Sequence, residues 1–166
     1  FVFSTHSSVS GDGRYARTET DVTGDGIFDK TTVTHSGHGA NGFNSSTTIH
    51  YDRHYAETAS VTVTAKHDGT YSLAIIDTDG DGAADLRSQF ERTFLATGDV
   101  VELRQSSDGF GHTLLSDRIS ISGDGLEEVR GLDFDGDGGL DQGAVPAHLE
   151  PLPIQVQPAR VEHGVP

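Results

Sequence analysis

The chain has 166 residues, and 26 acidic against 11 basic side chains give it a formal charge of −15 with histidine neutral. Its only lysines are Lys30 and Lys66, and no Lys/Arg cluster is present to release counterions from a polyphosphate, which excludes nucleic acid as a natural partner. Zero cysteines exclude a disulfide scaffold, a Cys-ligated zinc site and thiol catalysis, and no run approaches the ~18 apolar residues of a membrane-spanning helix.

The composition predicts a thin core. Hydrophobic residues make up 33% and aromatic residues 7%, against 21 glycines. Such a chain lies near the composition at which polypeptides stay disordered unless the acid is neutralised. The start, Phe1-Val2-Phe3, carries neither an initiator Met nor a basic leader, and reads as a piece of a larger, processed chain.

Along the chain, the first acidic segment is Asp21-Val-Thr-Gly-Asp-Gly-Ile-Phe-Asp29. It recurs as Asp77-Thr-Asp-Gly-Asp-Gly-Ala-Ala-Asp85 and as Asp133-Phe-Asp-Gly-Asp-Gly-Gly-Leu-Asp141. The starts are evenly spaced, 77 − 21 and 133 − 77 both being 56, and the same offset aligns Asp12-Gly13, Asp68-Gly69 and Asp124-Gly125. A fixed period of this length is the signature of tandem repeats.

Between the loops the pattern is that of strands. Thr31-Thr-Val-Thr34 is β-branched throughout, while Ser60-Val-Thr-Val-Thr-Ala65 and Arg118-Ile-Ser-Ile-Ser122 alternate apolar with polar. The remaining Asp-Gly pairs, Asp108-Gly109 among them, read as hairpin turns, with Asp12, Asp68 and Asp124 as outside candidates for an extra metal oxygen. In the middle unit the expected strands are 70–76, 86–95, 100–105 and 113–121. Leu86, Phe90 and Phe94 are four apart, a helical spacing, but the equivalent segment 30–35 is β-rich, so strand is expected at both. The predicted fold is therefore all-β: repeats of about 56 residues, four short antiparallel strands each, arranged as propeller-like blades or as an extended sheet. Residues 1–142 form this domain. All five prolines follow residue 142, so 143–166 reads as a Pro-rich tail or linker.

The loops carry the chemistry. Carboxylates at loop positions 1, 3, 5 and 9, glycine at 6 for a sharp turn and the carbonyl of residue 7 together offer only hard oxygen ligands, which suits calcium. The candidate ligands are Asp21, Thr23, Asp25, the Ile27 carbonyl and Asp29; Asp77, Asp79, Asp81, the Ala83 carbonyl and Asp85; and Asp133, Asp135, Asp137, the Gly139 carbonyl and Asp141. Thr23 leaves the first loop one carboxylate short, so it is expected to be the weakest of about three calcium sites. Four aspartates within nine residues repel one another by roughly 4 kcal/mol per pair at about 4 Å and a surface-like dielectric, which couples metal to folding.

The loop Asp-x-Asp-Gly-Asp-Gly-x-x-Asp resembles the calcium loops of secreted bacterial repeat proteins: FG-GAP and VCBS-like repeats, thrombospondin type 3 repeats, dockerins and, in the broad sense, hemolysin-type repeats. The resemblance covers nine residues in each repeat. It implies calcium held by the aspartates just named, in an extracellular or cell-surface bacterial protein such as an adhesin or a secreted hydrolase. Position 12, which holds a bidentate Glu in the helix-loop-helix motif, is Thr32, Ser88 or Ala144, so paired EF-hands are not expected. Dockerin helices and the shorter period of a β-roll fit no better.

Other chemistry is weaker. His50 and His54, or His35 and His38, have spacings a zinc site uses on a helix, but on a strand residues four apart stand ~13 Å from each other. No Gly-x-Ser-x-Gly motif is present, and Asp99, Glu102, Glu127 and Glu128 are expected on solvated strand faces, so no enzyme is expected. Phe43, Tyr51, Tyr55, Phe90 and Phe94 are expected in the core and not on a carbohydrate platform. The expected role is a calcium-rigidified structural module of a larger protein. The alternatives are a calcium-braced domain binding a cell-surface glycan or protein, or an accessory domain of a secreted enzyme.

Overall fold

Turn chemistry punctuates the chain at short intervals, and the β-branched runs between the turns can only pair sideways. In the computed structural model, which describes residues 3–39 and 41–142 together with the backbone of 147–148, they form one antiparallel meander. The strands are β1 (Ser4–Val9), β2 (Tyr15–Asp21), β3 (Lys30–His38), β4 (Phe43–Asp52), β5 (Glu57–Lys66) and β6 (Tyr71–Asp77). They continue as β7 (Leu86–Phe94), β8 (Val100–Asp108), β9 (Thr113–Ile121), β10 (Glu127–Asp133) and the two-residue β11 (Ala147–His148). The described residues contain no helix.

Each strand pairs with its neighbours in sequence, from β1 to β11, in a single open sheet. Of the two expected arrangements, this is the extended sheet: a propeller would interrupt the ladder after each blade, whereas β5 pairs with β6 and β9 with β10. Segment 86–94 is a strand, since β7 pairs along its whole length with β8. Within the predicted tail, Ala147–His148 adds to β10 opposite Glu127 and Glu128. The rest of 143–166 lies outside the described residues.

The strands β2, β6 and β10 begin at residues 15, 71 and 127, and each runs into one acidic loop. All three loops, with the β4–β5 and β8–β9 turns between them, therefore line the same end of the sheet. The turns at Asp12, Asp68 and Asp124 lie at the other end, a strand length of roughly 20 Å away. There the three carboxylates bond within their own turns, to Ser10, Thr70 and Ser122, so they do not reach the loops.

Both faces of the sheet are open. Among the described residues no hydrophobic side chain is buried, and the expected aromatic core is absent. Tyr55 and Phe94 are exposed, and Phe43, Tyr51 and Phe90 are half-covered by neighbours on their own face. Phe43 lies edge-on to Tyr71 and under the Lys66 ammonium. A single layer cannot enclose a side chain between two surfaces, so it relies on its ladder of backbone hydrogen bonds and on cross-strand pairs, each contributing about 0.2–1 kcal/mol.

What is buried is polar: Asp21, Thr31, Asp77, Glu102, Asp117 and Asp133. Glu102, expected on a solvated face, is 7% exposed. It accepts from Arg92 Nε at 2.9 Å and from Arg104 Nη2 at 3.1 Å. Asp117, also 7% exposed, takes a two-pronged pair from Arg130, at 2.9 and 2.7 Å. Phe90 sits between the Arg92 and Arg104 guanidinium groups, 5.6 and 5.7 Å from its ring centre. Register explains the assembly, because Arg92 faces Glu102 and Arg104 faces both Phe90 and Asp117 across adjacent strands. Long arginine stems cover the sheet while their charged heads stay wet.

Candidate metal centres

The three loops share one internal framework. The first aspartate ends its strand and is buried, with exposures of 4, 5 and 5% for Asp21, Asp77 and Asp133. Its two carboxylate oxygens accept the amide N–H groups of loop positions 4 and 6. Asp77 takes Gly80 at 2.7 Å and Gly82 at 2.8 Å, Asp133 takes Gly136 at 2.6 Å and Gly138 at 3.0 Å, and Asp21 binds the amides of Gly24 and Gly26. Those glycines have φ between +73 and +86°, the left-handed region that lets the chain curl around the carboxylate. At position 4 the space is closed as well. A Cβ on Gly80 would fall on the Glu57 carbonyl, and one on Gly136 on the Thr113 carbonyl, so the loops dock on the starts of β5 and β9.

The ninth residue closes the loop. Asp29 accepts from the amides of Val22 and Thr23, Asp85 from Thr78 and Asp141 from Phe134. The fifth residue accepts from the seventh: Asp25 from Ile27, Asp81 from Ala83 and Asp137 from Gly139.

In two loops the result is a group of three carboxylates that could hold a metal ion. One oxygen from each of Asp77, Asp79 and Asp81 lies within 4.8 Å of the other two, and the same holds for Asp133, Asp135 and Asp141. Of the expected ligands, Asp85 and Asp137 stand outside these groups. In the first loop, Thr23 occupies the third position, and no comparable group containing Asp21, Asp25 or Asp29 occurs among the described residues. Instead, Arg53 from the β4–β5 turn approaches, its Nη2 3.3 Å from Asp25 Oδ2 and its Nη1 3.9 Å from Asp29 Oδ1. Nothing in the loop's own nine residues announces that arginine, which follows Asp29 only after two further strands. Among the described residues no group of three metal-ligating side chains contains a histidine; His50 bonds Thr32 across the strands, while His54 lies in the β4–β5 turn.

Hydrogen bonding lowers the pKa of three of these carboxyls, those of Asp29, Asp77 and Asp85. The Thr78 hydroxyl and amide hold Asp85 below its ordinary range, and the Thr23 and Val22 amides do the same for Asp29. Burial pushes Asp77 up, but the amides of Gly80, Gly82 and Asp79 outweigh it and leave the carboxyl lowered. A carboxyl whose folded pKa is depressed contributes stability above its unfolded value and loses it as pH falls through the folded one. In metal-free buffer the melting temperature should therefore vary little with these groups from pH 5 to 8 and drop below about pH 4. Thermal melts followed by circular dichroism across that range check it, and a drop centred near pH 6 would contradict the assignment.

Consecutive loops are four strands apart, ~19 Å at ~4.8 Å per strand, more than twice the screening length of about 8 Å at physiological salt. A cation in one loop therefore does little to repel a cation in the next. No family model, curated protein or solved structure matches the chain.

Proposed function

We propose that the protein is a calcium-stapled β-repeat module of a secreted or surface-exposed bacterial protein, in which calcium ions pin successive turns of an extended sheet. The observation that carries this reading is the pair of three-carboxylate groups at equivalent places, Asp77/Asp79/Asp81 and Asp133/Asp135/Asp141. Evenly spaced strand starts and three loops with matching hydrogen bonds support a tandem repeat. The ligand chemistry is all oxygen on a flexible, glycine-rich frame, which favours calcium over the stricter octahedral geometry of magnesium.

The reading supplies a reason for the absent core. A sheet with no buried hydrophobic side chain among its described residues has little to set against chain entropy, and an ion that binds the folded loop but not the unfolded chain adds its binding free energy to folding. Millimolar extracellular calcium suits sites of modest affinity. The module would then be loosely ordered where calcium is scarce and rigid outside the cell.

Thermal melts in about 2 mM calcium and in chelator, with magnesium as a third arm, test this. Calcium should raise the melting temperature by about 3 °C or more, each of two sites contributing roughly 0.7–1.8 kcal/mol when free calcium is about 2 to 20 times a Kd of roughly 0.1–1 mM. Magnesium should do less. Identical melts in calcium and chelator would end the proposal.

A further inference from the structure

The β4–β5 and β8–β9 turns, beside loops 21–29 and 77–85, are built alike. Asp52 N–H donates to the Ala56 carbonyl at 3.0 Å, and Asp108 N–H donates to that of His112 at the same distance. Tyr55 N–H returns to the Asp52 carbonyl at 3.1 Å, as Gly111 N–H returns to that of Asp108. Both aspartate side chains accept the amides two and four residues on.

Of the positions that differ, two favour Arg53. Its counterpart one repeat further on is Gly109, where a Cβ would fall on the Ala84 carbonyl oxygen, so the second turn has no room for a side chain against its loop. The first turn holds an arginine there, aimed at Asp25 and Asp29. The counterpart of Gly111, at φ +91°, is Tyr55 at φ +60°, a conformation that a bulky residue rarely adopts. Tyr55 is held in it by Arg17, whose Nη2 lies 3.2 Å from its hydroxyl and whose guanidinium lies 5.7 Å from its ring centre. The turn that presents Arg53 is thus tied to the sheet by a second arginine, and it lies beside the one loop whose third position is a threonine, Thr23.

We infer that Arg53 is the resident cation of loop 21–29, and that this loop binds no divalent ion. Its guanidinium is permanently charged, weakly hydrated and planar, and it lies 3.3 Å from the Asp25 carboxylate and 3.9 Å from that of Asp29. Asp25 and Asp29, the carboxylates at the fifth and ninth positions of the loop, both face Arg53. An incoming calcium ion would meet one carboxylate fewer and a positive charge already in place. The comparison with the other two loops rests on the calcium reading; the Arg53 assignment itself does not.

Native mass spectrometry with calcium titration counts the ions, and melts in chelator test the arginine separately. The wild-type chain should take two ions, and Thr23→Asp/Arg53→Gly should take three. In chelator, Arg53→Gln should lower the melting temperature by about 1–4 °C, and should do so much less in an Asp25→Asn background. Arg53→Lys should restore part of the loss. A third ion on the wild-type chain that Asp25→Asn removes would overturn the inference, as would an Arg53→Gln variant that melts with the wild type in chelator. If the wild-type chain takes no ion, the calcium reading fails and the chelator melts alone decide on Arg53.

Discussion

Asp77→Asn should abolish ion binding at loop 77–85 and lower the melting temperature even where no metal is present. The Asp77 carboxylate accepts the amides of Gly80 and Gly82 on opposite oxygens. Asparagine keeps one acceptor and turns a donor toward the other amide, leaving a buried N–H unpaired beside a second N–H. In chelator that local mismatch should cost roughly 3–8 °C, because an unsatisfied buried group loses its full desolvation penalty. In calcium the loss should be larger, since the ion's contribution goes too. Titration should then count one ion fewer than wild type, with the 133–141 site unchanged at ~19 Å away. Asp133→Asn should behave in the same way at its own loop. Equal melts of Asp77→Asn and wild type in chelator would show that the carboxylate does not organise the curl, and an unchanged ion count would show that it does not bind.

Glu102→Ala is the second large effect, and it should be independent of calcium. Glu102 neutralises Arg92 and Arg104 on the exposed face of β7 and β8 and is the most buried member of that group. Its removal leaves two guanidinium groups flanking Phe90 with no counterion between them. Loss of one partner from a fully buried ion pair costs about 3–5 kcal/mol. Water reaches both arginines here, so about 1–3 kcal/mol is expected, read from urea or thermal unfolding. The same loss should appear in calcium and in chelator. In a cycle with Arg92→Ala, the two changes should cost less together than the sum of their separate effects, by about 0.5 kcal/mol or more. Additive losses would reduce the network to unconnected surface pairs.

These two predictions mark the boundary between what could be read from the chain and what could not. A loop from Asp77 to Asp85 is a local object: its glycines, its alternating carboxylates and its strand flanks all lie close together in the chain, so spacing alone carries the information. The strands were legible for the same reason, and the expected 86–95 and 113–121 correspond closely to β7 (Leu86–Phe94) and β9 (Thr113–Ile121). The errors fell where the answer depends on residues from different strands. Glu102 looked like any acid on a solvated face, because Arg92 and Arg104 reach it through the β7–β8 register and the pairing of side chains along β8. Tyr55 and Phe94 were assigned to a core because aromatic side chains usually have one, and a single-layer sheet offers none.

The first loop shows both sides. Its missing carboxylate is visible in Thr23, a local substitution. Its arginine was not, because β3 and β4 separate Arg53 from Asp25 along the chain, and the two meet only once both hairpins have brought their turns to the same end of the sheet. By itself the sequence determined the all-β character and the even spacing of three acidic loops, both of which follow from short-range backbone geometry. Only the tertiary structure decided that the strands form one continuous open sheet, that the side chains buried among the described residues are polar, and that one of three similar loops faces an arginine. Cross-strand register assigns partners to side chains, and no pattern within a single strand specifies it.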